Sequence, residues 1–161
     1  MKKSGENLKT NNKNKVEISI LIYTKDKEKL WELRNFFYDI QEKLQCKLNL
    51  SLTCNLQTAF NMFVYVVGGA DVFISDEIIP KECEETLQRQ IKSYSPMCRS
   101  ITKKIDGYSY VFNFVDGLKI IEHWKNEDIS FENRLYDLIN RLINKEISNN
   151  KSESVSKIHK I

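Results

Sequence analysis

The stretch "DVFISDEIIP" runs an apolar segment, Val72-Phe73-Ile74, into two adjacent carboxylates, Asp76 and Glu77, with Pro80 close behind. A carboxylate delivered to the end of a buried strand can serve as a nucleophile or help hold a cation. Its plainer role is to cap a helix that begins near Pro80, because proline suits a first turn. A second polar cluster, Thr24-Lys25-Asp26, lies in "IYTKDKEKL", and "SIT" brings the hydroxyls of Ser100 and Thr102. "IIEHW" contributes His123, whose imidazole is only partly charged at neutral pH and whose plainer role is a surface or strand-end side chain. The cysteines Cys46, Cys54, Cys83 and Cys98 show no C-x-x-C spacing, and only His123 and His159 could join them. No zinc site is expected from that set; free thiols in a reducing compartment are.

These residues need elements to position them. "VEISILIY" (Val16 to Tyr23) is apolar and β-branched, as a buried strand is. "DKEKLWELRNFFYDIQEKL" spaces Leu30, Leu33, Phe37, Ile40 and Leu44 three and four apart, which predicts one apolar stripe on a long helix. "KLNLSLT" alternates as a strand does, and "LQTAFNMFVYVV" reads as a helix stopped by Gly68-Gly69. "DVFIS" is a third strand, and "KECEETLQRQIKSY" has helical composition. "ISFENRLYDLINRLI" predicts a last helix, with Ser130 or Asp128 as its N-cap. Strand and helix alternate, as in a parallel sheet covered on both faces. In "IDGYSYVFNFVDGLKIIEHW" the local pattern favours strands, with Asp116-Gly117 as a hairpin turn.

Charge narrows the function classes. The net charge is +3, but residues 1–15 carry +4 and residues 144–161 carry +2, which leaves −3 on the body. Asn- and Ser-rich basic arms predict solvated, disordered segments at 1–15 and 146–161. Scattered lysines without interleaved aromatics are a weak nucleic-acid signal. No apolar run is long enough to cross a bilayer, and the N-terminal lysines have no apolar stretch behind them, so a cytoplasmic location is expected.

Over residues 16–145 the chain resembles the receiver domain of bacterial response regulators, nearest to those that accompany LytTR-type DNA-binding domains. Asp76 and Pro80 match the phosphoacceptor aspartate and the proline that follows it, and "SIT" resembles the fourth strand, with Thr102 as the switch hydroxyl and Ser100 the alternative. The resemblance implies an α/β fold: a doubly wound, five-stranded parallel sheet with helices on both faces, receiver- or flavodoxin-like. It also implies that "IDGYSYVFNFVDGLKIIEHW" forms the fourth helix and fifth strand, overriding the hairpin signal.

The family's phosphoryl-transfer equipment is incomplete in this sequence. The positions of its Mg²⁺-binding acid pair fall on Thr24 and Lys25, with Asp26 one residue further on and Glu77 a poorly aimed substitute. His123 stands at the position of the family's lysine. The expectation is a degenerate, stand-alone pseudo-receiver: a module of two-component signal transduction or a phosphorelay that is not an enzyme and binds no cofactor. Its partner would be a histidine kinase or transcriptional regulator, or a second copy through residues 106–142. The aromatics there, Tyr108, Tyr110, Phe112, Phe114 and Trp124, suit an interface, although Phe112 and Phe114 equally suit the core. Lys25 is expected to pair with Asp76 in place of the metal. Three alternatives remain: a competent receiver in which Asp26 and Glu77 rescue Mg²⁺ binding, a nucleic-acid-associated protein using the basic arms, and a flavodoxin-like enzyme. The last lacks a glycine-rich phosphate loop.

Overall fold

The computed structural model describes residues 16–66, 69–104, 108–125 and 130–159. Six strands form one sheet in the order β2-β1-β3-β4-β5-β6: β1 (Glu17–Tyr23), β2 (Lys47–Thr53), β3 (Val72–Ile78), β4 (Arg99–Lys103), β5 (Tyr108–Val115) and β6 (Leu118–Lys125). The helices are α1 (Lys27–Leu44), α2 (Leu56–Tyr65), α3 (Lys81–Tyr94) and α4 (Phe131–His159). The first four strands are parallel, while β4–β5 and β5–β6 are antiparallel.

The α/β class and the helices on both faces are as expected; the five-stranded, all-parallel sheet is not. Residues 108–125 form two strands, and no helix occurs between them. The local signal is correct here and the resemblance misleads. Asp116 and Gly117 both take positive φ, 52° and 81°, as a two-residue turn matched to strand twist requires. The hairpin takes the place of a crossover helix and a fifth parallel strand.

Two cores result. Ile18, Ile20 and Ile22 of β1 point to one face, where the α1 stripe Leu30, Leu33, Phe37 and Ile40 meets Leu135, Leu138 and Ile139 of α4. Leu21 and Phe73 point to the other, against Phe60 and Phe63 of α2 and Leu87 and Ile91 of α3. Phe37 is fully buried, and its truncation to alanine would remove roughly 3–5 kcal/mol.

Asp26 caps α1, accepting from the Glu28 and Lys29 amides at 2.9 and 3.4 Å. Gln45 ends the helix in the left-handed region, φ 50°. Ser130 caps α4 through the Asn133 amide, and Asp128 lies outside the described residues. The backbone of α4 continues to His159, through the stretch expected to be a disordered tail. The other expected arm, residues 1–15, lies outside the described residues, as does Gly68 of the expected helix stop. No described helix is long and apolar enough to cross a membrane.

Candidate functional site

Because β1 connects through α1 to β2 on one side and the chain returns to β3 on the other, a crevice opens between the carboxyl ends of β1 and β3. In open α/β sheets ligands gather there. Thr24, Asp76 and Glu77 all reach this end.

A bulge makes the local geometry. Ser75 pairs with Thr102, but the next paired residue of β3 is Ile78, opposite Lys103, so Asp76 and Glu77 have no partner in β4. The buried Ser75 hydroxyl holds this extra length: it donates to the Glu77 carbonyl at 2.6 Å and accepts the Glu77 amide at 3.3 Å. Bulges re-aim side chains at strand ends.

Glu77 is thereby turned toward β1. Its carboxylate accepts the Thr24 hydroxyl and the Lys25 amide, each at 3.2 Å. Thr24, fully buried, also accepts the Asp26 amide at 3.2 Å. Threonine, glutamate and the first residue of the α1 cap form one connected latch across the two strand ends.

Asp76 faces two cations. Lys103 Nζ lies 3.9 Å from its Oδ1. Burial pushes the Asp76 carboxyl above its ordinary value; Lys103 and then Lys29 pull it down, and Glu77 and Asp26 push it up. Lys25, expected as its partner, is not the cation beside it: its amide serves Glu77, and the ammonium next to Asp76 comes from β4. Asp76 does not cap a helix either, since α3 begins after Pro80 and has no side-chain cap. Burial likewise raises the Tyr23 phenol, with Glu77, Cys54 and Cys83 adding to the effect.

The remaining candidates lie away from this crevice. Thr102 is buried on β4, one residue before Lys103, and turns toward α3. The Ser100 hydroxyl is buried without a hydrogen-bond partner among the described residues. His123 does not reach the crevice. It sits exposed on the outer strand β6, opposite Tyr110, ring centroids 4.4 Å apart. Of the five aromatics assigned to an interface, Trp124 and Phe112 are buried and Tyr110 and Phe114 half-buried, while nothing is described of the Tyr108 side chain. The exposed apolar residues of the hairpin are aliphatic: Val115, Leu118, Ile120 and Ile121.

The donor set does not fit Mg²⁺. Asp26 is engaged at the helix cap, Glu77 in the latch and Asp76 beside Lys103. No group of three or more His, Cys, Asp or Glu able to hold a metal occurs among the described residues. Two residues that matter here escape sequence reasoning: Lys103, whose approach depends on the bulge, and Ser75, which builds it.

No protein-family model, curated protein or solved structure matches the chain. Function therefore rests on the residues and their geometry.

Proposed function

We propose that the chain is a degenerate receiver-like module of bacterial signal transduction that acts through protein contacts and does not require phosphorylation. The observation that carries this reading is the latch. Glu77 bonds to the two positions, Thr24 and Lys25, where a phosphoryl-transfer site would need free carboxylates, and Lys103 supplies Asp76 with positive charge without a metal. The crevice is thus held in one arrangement.

The contact surface in this reading is the outer edge of the hairpin. Among the described residues β6 has a neighbour on one side only, and Leu118 is 69% exposed beside Val115 and Ile120. An open edge bordered by aliphatic side chains suits an extended segment of a histidine kinase or transcriptional regulator added as a further strand.

In-cell crosslinking would identify the partner, and titration of the purified full chain would test the reading. Asp76→Asn should bind as wild type does, and Leu118→Lys with Ile120→Lys at least about tenfold more weakly. Binding that requires a phosphodonor and disappears in Asp76→Asn would overturn it. Self-association abolished by Leu118→Lys would make the occupant a second copy.

A further inference from the structure

A cleft of about 190 Å³ opens between α3 and the hairpin. Its floor is apolar, formed by Ile79, Leu87 and Phe112. Polar groups converge on its rim. Thr102, 4% exposed, and Gln88 line it beside Lys104 and Lys119. The Tyr110 ring packs against His123 and carries Lys104 at 4.5 Å, but its hydroxyl bonds to no described residue.

Charge is the second observation. Glu84 and Lys104 neutralise one another across 2.6 Å. Lys119, exposed on β6, has only the face of the Phe112 ring as a partner among the described residues, 4.9 Å from its centroid. One surplus positive charge therefore stands at the mouth of a largely apolar pocket that Thr102 also lines. Ligand sites combine an apolar lining with a few convergent polar groups.

We propose that this cleft is a binding site for a small organic monoanion, a carboxylate on an apolar body of about one ring. A cavity of ~150 Å³ accepts benzene, so the volume suits that body. The body would lie on Leu87 and Phe112, and the carboxylate would take Lys119 and the Thr102 hydroxyl. The site is independent of the partner-binding reading, since Leu118, Ile120 and Val115 do not line it.

The test is an amide-resolved NMR titration of the full chain with benzoate, benzamide and acetate. Benzoate should give saturable shifts at Thr102, Lys104 and Phe112, with benzamide (the ring without charge) and acetate (the charge without a ring) at least about tenfold weaker. Lys119→Gln, at an exposed position, should retain a folded spectrum, weaken benzoate about tenfold and leave benzamide unchanged. Equal binding of benzoate and benzamide, indifference to Lys119→Gln, or no saturable shift would each overturn the proposal.

Discussion

The Lys103 ammonium lies 3.9 Å from the Asp76 carboxylate and comes from the strand beside it, one residue after the buried Thr102. Lys103 is half exposed, so the pair gains little stability; its effect falls on the charge state of Asp76. Lys103→Met should raise the Asp76 pKa, and Lys25→Ala should leave it where it is. Carboxyl-detected NMR titration of the wild type and both variants measures this, and the opposite ranking would place Lys25 at the crevice after all.

The raised Asp76 carboxyl also gives stability a pH dependence. Its folded value stands above the unfolded one, so between the two the native state holds more proton than the unfolded state. Its contribution is full below the unfolded value and lost as pH rises through the folded value. Asp76→Asn keeps the shape without the charge. The melting temperature of the variant relative to wild type should therefore be higher at pH 7.5 than near pH 4; a pH-independent difference would contradict the assignment.

Thr24 donates to Glu77 and accepts from Asp26 with no exposure to water. Thr24→Val preserves volume and removes both bonds, leaving the Asp26 amide without its acceptor. The expected loss is about 1–3 kcal/mol in urea unfolding. Thr24→Ser, which keeps the hydroxyl, should lose less; equal losses would mean that the methyl group matters and the latch does not.

Acetyl phosphate with Mg²⁺ should leave the intact mass of the chain unchanged, because the carboxylates near Asp76 are committed to the cap and the latch. A stoichiometric adduct absent from Asp76→Asn would show that the crevice can open to a metal.

Gly117 isolates a purely conformational effect. A side chain there would meet nothing within 4 Å, yet φ is +81°. Gly117→Ala should thus destabilise by about 1 kcal/mol through the backbone alone. A neutral result would mean that the turn relaxes.

Much of the fold is legible in the sequence wherever one periodicity dominates. The α1 stripe and the alternation of β2 each admit one reading, and their buried faces agree with it. The hairpin is legible too, in Asp116-Gly117 flanked by apolar alternation; the receiver resemblance points elsewhere because a family's element order carries nothing of the local turn chemistry. The crevice was half legible. Asp76 sits at the strand end because the apolar run before it must be buried on both faces. Its neighbours could not be read, because the bulge depends on a single buried hydroxyl, Ser75, and that extra length decides whether Glu77 turns to β1 and which lysine meets Asp76. Register is a long-range property, and no window of sequence contains it.

The hairpin also bears on the order in which the sheet assembles. β5 and β6 are joined by two residues and can pair in microseconds, as isolated hairpins do. Each parallel pairing among β1 to β4 must first close a crossover containing a whole helix, and such distant contacts form slowly. A preformed ribbon offers β4 a ready strand to dock on, so the sheet can grow from its last-translated edge inward. The strand that carries Asp76 would then be set between a late β1 and an early β4, and the bulge would be the last register to settle.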